Sequence, residues 1–282
     1  MKNRVYITGY ASIVPKHQEE TYSDVFGNRK IQRFSRRSGT LFMEAVKNAL
    51  AMSEINISEI NSYRTAIILG EYMNQKQDID SIINVLKKSI SESGKNVFDD
   101  GLYSAYSVKE WNTSSALANI PNIPGFLCAL SLQNKGYLST ELLTCAGGLF
   151  SITEGFSKIQ DGLADIAIAG GTSSKSDLLE VIKYRAMGYY SDDDYQISEG
   201  AGVVILEAES SVMKRGVKPY AEILGSANSF SPETYKTKEI DSKSVEFLLK
   251  QTMENADLNE EKPIDYITGS FSTKYVDKEI KI

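Results

Sequence analysis

Short apolar runs alternate along this chain with stretches in which apolar residues recur every three or four positions. That is the pattern of strands alternating with amphipathic helices. The runs at Val5-Tyr6-Ile7-Thr8 and at residues 65–69, 138–144, 166–169, 200–207, 220–224 and 264–267 predict strands, with Gly9, Gly70 and Gly170-Gly171 closing three of them. Residues 65–69 show no polar alternation, the pattern of a strand buried on both faces. Helical spacing is clear in Leu41, Phe42, Ala45, Val46, Ala49 and Leu50, with Ser38 placed to cap, and in Ile82, Ile83, Leu86 and Ile90 after Asp80, ending near Ser93-Gly94. Leu127, Leu130 and Leu132 follow Pro121-Asn122-Ile123-Pro124, where Pro124 suits a first helical turn. Leu149, Ile152, Phe156, Ile159 and Leu163 predict one helix face that stops at Asp161-Gly162. A short helix ends at Lys214-Arg215-Gly216, and Val245, Leu248, Leu249, Thr252, Met253 and Ala256 predict another from Asp241. Residues 95–118, around Trp111, show no clean period and read as an irregular excursion. The alternation predicts an α/β fold whose first strand, helix and second strand form a right-handed parallel crossover.

Composition narrows the class. With 282 residues, 41% hydrophobic and 24% charged, the chain can bury a sizeable core in one or two packed domains. No apolar run approaches the roughly 18–20 residues of a membrane span, and the start leads into a strand pattern, so a cytoplasmic protein with no membrane partner is expected. The net charge of −6 argues against a nucleic-acid partner. One basic cluster, Arg29, Lys30, Arg33, Arg36 and Arg37, reads either as a docking site for an acidic partner or as a solvated surface segment. Two cysteines, Cys128 and Cys145, make neither a disulfide framework nor a four-ligand zinc site, and the single histidine, His17, excludes chemistry that needs two. No metal and no cofactor are implied.

The candidate chemistry lies at Cys145. A predicted strand runs into it, and Ala146-Gly147-Gly148 open a helical pattern, so the thiol sits where a helix macrodipole favours a thiolate. Amides there would also suit a substrate oxyanion. By composition alone a buried, inert cysteine is the favoured reading. Glu199, in a glycine-rich turn, reads as a carboxylate that fixes the turn through backbone N–H groups in preference to a general base. Ser191-Asp192-Asp193-Asp194 reads as an acidic turn.

Several motifs carry a resemblance. Thr144-Cys145-Ala146-Gly147-Gly148 resembles the T-A-C-A-x-G signature around the active-site cysteine of β-ketoacyl synthases, the condensing enzymes of the thiolase-like superfamily. The run from Ala164-Asp165 to Gly170-Gly171 resembles A-D-x-x-x-A-G-G, and the run from Glu199-Gly200-Ala201-Gly202 to Leu206-Glu207 resembles G-E-G-A-G-x-x-x-L-E. With Val5-Tyr6-Ile7-Thr8-Gly9 at the front, the motifs stand in the family's order. The resemblance implies a thiolase-like layered αβαβα fold. Its first βαβαβ half would be complete over residues 1–216, and residues 217–282 would open a truncated second half. It also implies that the region around 121–144 builds a dimer interface.

The chain departs from the family where the first of two catalytic histidines belongs. The segment matching H-G-T-x-T reads Gly269-Ser270-Phe271-Ser272-Thr273, although Asp277 and Glu279 keep the following D-x-x-E pattern. The chain ends at Ile282, ahead of the family's second histidine, its lysine and its glycine-rich loop. The absence of the first histidine favours a naturally divergent short protein over a fragment of an ordinary condensing enzyme. The expectation is a ketosynthase-like subunit of the chain length factor type. It would form a heterodimer with a full-length ketosynthase, serve an acyl carrier protein and line the acyl chain at the subunit interface in polyketide, polyene or fatty acid biosynthesis. Known chain length factors usually replace the cysteine, so the retained Cys145 keeps an alternative open: an acyltransferase or priming enzyme acylated on Cys145.

Overall fold

The computed structural model describes residues 3–15, 25–32, 34–71, 79–94, 96–111, 120–174, 198–231, 241–258 and 264–266, with Ile182, Ala186 and Thr268. His17, Arg33, the acidic turn at 191–194 and residues 269–282 lie outside the described residues.

Among the described residues, a six-stranded mixed sheet organises the fold. Its strands are β1 (Val5–Ile13), β2 (Thr65–Glu71), β3 (Leu138–Glu141), β4 (Ile166–Ser174), β5 (Glu199–Ala208) and β6 (Ala221–Ile223), in the order β3-β2-β4-β5-β1-β6. β3, β2 and β4 run parallel, whereas β5 is antiparallel to both β4 and β1, and β6 is antiparallel to β1. β1 and β2 therefore share a direction, but β4 and β5 lie between them, so the predicted crossover spans two strands. Every residue of β2 is buried. The period-two alternation of a strand then splits its side chains between two cores. Ile67 and Leu69 join the core under α2 (Arg37–Met52) and α5 (Ile123–Ser131), and Ala66 and Ile68 join the one under α6 (Gly147–Gln160). The predicted stripe Leu41, Phe42, Ala45, Val46, Ala49 and Leu50 is buried throughout.

Close packing accounts for several departures from the sequence pattern. β1 does not stop at Gly9 but runs on to Ile13 past a bulge between Ile7 and Gly9. A Cβ at Gly9 would stand 2.5 Å from the Ala49 carbonyl oxygen, so this glycine admits α2 against the strand and terminates nothing. Ser38 does not cap α2. The helix begins at Arg37 after Arg36, and Ser38 lies buried in its first turn. The predicted face of α6 is rotated: Gly147, Ser151, Gly155, Phe156 and Ile159 are buried, while Leu149 is 67% and Leu163 58% exposed. Small residues four apart let the helix backbone settle on the sheet, and a Cβ at Gly155 would lie 3.2 Å from the Ala167 Cβ.

The remaining elements hold fewer contacts. α1 (Arg29–Gln32) is one short turn, and α3 (Ile79–Ser91) begins ahead of Asp80, which is within the helix. α4 (Asp100–Glu110) stands where the sequence shows no period. It has no buried residue and leans on α3, and it owes its start to the Asp99 carboxylate accepting from the Leu102 N–H at 2.8 Å. In α5, Pro124 takes the first turn and Leu127 is buried, but Leu130 is exposed. α7 (Glu209–Arg215) ends at Gly216 in the left-handed region, φ 66°, as Lys214-Arg215-Gly216 predicts. α8 (Ser242–Asn255) starts with Asp241 accepting from the Lys243 N–H, and none of its residues is buried. The predicted strand at 264–267 is not formed at Ile264, Asp265 and Tyr266, which are exposed and in no regular element. Among the described residues no helix is long and apolar enough to cross a membrane.

Candidate functional site

Cys145 lies in a 3-10 turn, Thr144–Ala146, between the end of β3 and the start of α6. Its thiol is exposed, and no side chain caps the helix at Ala146. The first-turn N–H groups of a helix lack intrahelical partners, so Cys145 stands beside the positive end of a helix that a ligand's oxygen could engage. Cys128 differs: α5 buries it completely, and burial pushes its thiol up to about 12, which leaves it an inert core side chain.

Glycines seat this helix end directly on the sheet. A Cβ at Gly70 of β2 would come within 2.2 Å of the Gly147 carbonyl carbon and 2.6 Å of the Gly148 nitrogen. On the next strand, a Cβ at Gly171 would lie 3.0 Å from the Gly148 Cα. The Ser151 hydroxyl, 2.8 Å from the Gly170 carbonyl oxygen and 2.7 Å from that of Gly148, fastens the next turn to β4. Three backbones therefore fix where Cys145 stands, and the site lies beyond the carboxyl ends of the parallel strands, where open α/β sheets place their ligands.

The other sheet face at this same end carries a buried polar cluster that sequence reasoning largely missed. Glu71 closes β2 at 3% exposure; its Oε1 accepts from the Ser38 hydroxyl at 2.8 Å, and its Oε2 is buried with no hydrogen-bond partner. Burial pushes this carboxyl up to about 7, against the pull of the Ser38 hydrogen bond and of Arg36. Thr172 of β4, in register with Glu71, donates towards the Ser38 carbonyl oxygen at 2.9 Å. Its one sequence signal is a carboxylate at the end of an otherwise apolar run.

Glu199 is structural, and the donor shown to hold it is a guanidinium. It begins β5, and its Oε1 accepts from Arg37 Nε at 2.9 Å and from the terminal guanidinium nitrogen at 2.6 Å. The basic cluster therefore does not form one solvated patch: Lys30 is exposed, whereas Arg36 and Arg37 serve buried carboxylates. Among the described residues no group of His, Cys, Asp and Glu could hold a metal ion.

Known proteins resemble this chain in sequence and fold. The family model described as beta-ketoacyl synthase, N-terminal domain, matches residues 26–211, from the turn before α1 into α7. The 3-oxoacyl-(acyl-carrier-protein) synthase 2 of Synechocystis sp. is 32% identical over 124 residues, 38% of this chain and 30% of that protein. The protein of the same description from Staphylococcus aureus is 24% identical over 221 residues, 73% of this chain and 50% of that protein. The chain thus spans half the length, or less, of these curated relatives. Among solved structures, the ishigamide ketosynthase/chain length factor superposes with a TM-score of 0.65 at 18% identity, over 93% of this chain and 72% of that one. A beta-ketoacyl synthase from Burkholderia phymatum gives a TM-score of 0.69 at 18% identity, over 92% and 71%. The matched segment takes in the turn that carries Cys145 and β2 to β5 of the sheet, and the chain belongs to the beta-ketoacyl synthase family through its N-terminal domain, with the thiolase-like α/β fold.

Proposed function

We propose that this chain acts as a ketosynthase-like, non-condensing subunit of the chain-length-factor type in carrier-protein-dependent polyketide, polyene or fatty acid synthesis in the cytoplasm. Residues 1–216 would be its ketosynthase-like half and 217–282 the opening of a second. The observation that carries this reading is chemical. A cysteine stands at the site, yet the segment that should bring a histidine to it reads Gly269-Ser270-Phe271. Decarboxylative condensation needs groups that stabilise an enolate as well as a nucleophile. A partner ketosynthase would supply them.

The open side of β3 supports the partnering. Among the described residues β3 pairs only with β2 and ends the sheet, and it carries no lysine or proline to discourage a further strand. Leu138, Leu142 and Leu143 beside it and Phe126 and Leu130 on α5 are exposed. An apolar margin next to an unpaired edge suits a ketosynthase with a matching edge. Among the similar structures, one is of a ketosynthase/chain length factor, and another holds a type II PKS acyl-carrier protein in complex with its ketosynthase. Co-expression with the ketosynthase of a neighbouring gene tests the idea. Copurification, and a change in product length on substitution of Leu142 or Phe126, are expected; separate elution and unchanged products would overturn it.

A second reading rests on the exposure of Cys145 at a helix start. Transfer of an acyl group from carrier protein or coenzyme A forms the Cys145 thioester and releases the donor thiol, which takes the proton of the Cys145 thiol. Intact-mass measurement after incubation with acyl-carrier protein detects that adduct. Its absence, together with full pathway activity of Cys145→Ala, would remove this reading.

A further inference from the structure

We propose that Glu71 is a proton-operated latch on the first turn of α2, closed while its carboxyl is neutral and opened by its ionisation. The geometry favours only the neutral form. One oxygen is held by Ser38 from the helix's first turn, and the other is buried with no hydrogen-bond partner. An unpartnered oxygen is tolerable on a neutral carboxyl and costly on a carboxylate, which has lost its water and gained nothing in return. The surroundings do not repair this. β4 offers Thr172, whose hydroxyl is neutral and turned to the Ser38 carbonyl oxygen. β5 offers Glu199, a second acid, whose carboxylate is bound to Arg37 of α2. Among the described residues Arg36, the residue before α2, is the cation that favours ionisation of Glu71, and burial outweighs it. Ionised, Glu71 regains hydration when the Ser38 turn lifts from the sheet end.

The latch sits one residue from the seat of the cysteine helix. Gly70 abuts Gly147 on one face of the sheet, and Glu71 holds α2 on the other. The device works whether or not Cys145 is ever acylated, because it involves no atom of that thiol.

Hydrogen exchange tests it on the whole chain. Backbone protection of residues 34–42, corrected for intrinsic exchange, is compared at pH 6 and pH 8 in the wild-type protein and in Glu71→Gln. With the carboxyl titrating near neutrality when latched and near its ordinary value when open, opening rises about tenfold between the two pH values. Glu71→Gln, which cannot ionise, is expected to show no such rise. A second variant, Arg36→Gln, removes the favourable cation and is expected to move the wild-type midpoint to higher pH, which keeps the test intact should Glu71→Gln fold poorly. Equal protection at both pH values, a rise that persists in Glu71→Gln, or a midpoint unmoved by Arg36→Gln would overturn the proposal.

Discussion

The two ends of the sheet each bury a glutamate and furnish it differently. Where β4 begins, Glu207 is 0% exposed and fully engaged: Thr8 donates to Oε1 at 2.5 Å, Ser211 to Oε2 at 2.9 Å, and Arg215 to both oxygens at 3.0 and 3.1 Å. Arg215 also donates to the Ser53 and Glu54 carbonyl oxygens, so one guanidinium ties α7, β5 and the end of α2 into a corner. Where β4 finishes, Glu71 has one hydroxyl and an oxygen without a partner. A buried charge that is paired and fully hydrogen-bonded is a rivet; a buried acid left half satisfied is a place where protonation decides the structure. The end that carries Cys145 is the one built with that freedom.

Removing Arg215 should have the largest effect, because Arg215→Ala leaves the Glu207 carboxylate buried and uncompensated. A loss of about 3–5 kcal/mol in chemical denaturation is expected. A loss below about 1 kcal/mol would show that the two ends are not so different. Next comes Gly70→Ala. A methyl group driven into the Gly147 backbone must lift α6 from the sheet, at about 1–3 kcal/mol or more, with a measurable change in the reaction rate of Cys145 with a thiol reagent.

Glu71→Gln sharpens the contrast through pH. Between about 4.5 and about 7 the folded protein keeps on Glu71 a proton that the unfolded chain has released, so raising the pH across this window favours unfolding. The stabilisation is whole below the window, is lost through it and stays lost above it, a fall on the order of 3 kcal/mol. The difference between wild-type and Glu71→Gln unfolding curves over this range should contain that slope; parallel curves would contradict it. The smallest effect belongs to Leu149→Ser. On the solvent side of α6 it should change stability by no more than about 0.5 kcal/mol, and a cost above 1.5 kcal/mol would mean that the hydropathy pattern, and not the glycine face, marks the inward side.

That last pair explains what the sequence could and could not reveal. The strand positions other than 264–267, the α2 stripe and the placement of Cys145 just before a helix follow from local pattern, and all three are present. The face of α6 is not legible by hydropathy. Leucines score high there, whereas the contact is made by Gly147, Ser151 and Gly155, because a helix backbone laid on a sheet leaves no room for side chains between them. α4 escapes for another reason: its weak amphipathicity gives no period, and a cap with a neighbouring helix supports it instead. The arginine run reads as surface because the carboxylates it faces, Glu199 bound to Arg37 and Glu71 near Arg36, arrive from strands far along the chain.

By itself, the sequence determined the family resemblance, the α/β alternation, a nucleophile at the start of a helix, and the lack of a histidine where the first one is expected. These are properties of residue order over short spans, where periodicity and motif spacing act. Only the tertiary structure decided which glutamate is riveted and which is half satisfied, which face of α6 meets the sheet, and that β3 ends the sheet formed by the described residues. Each of those depends on a partner brought from elsewhere in the chain, and burial and hydrogen-bond satisfaction become defined only when the strands assemble.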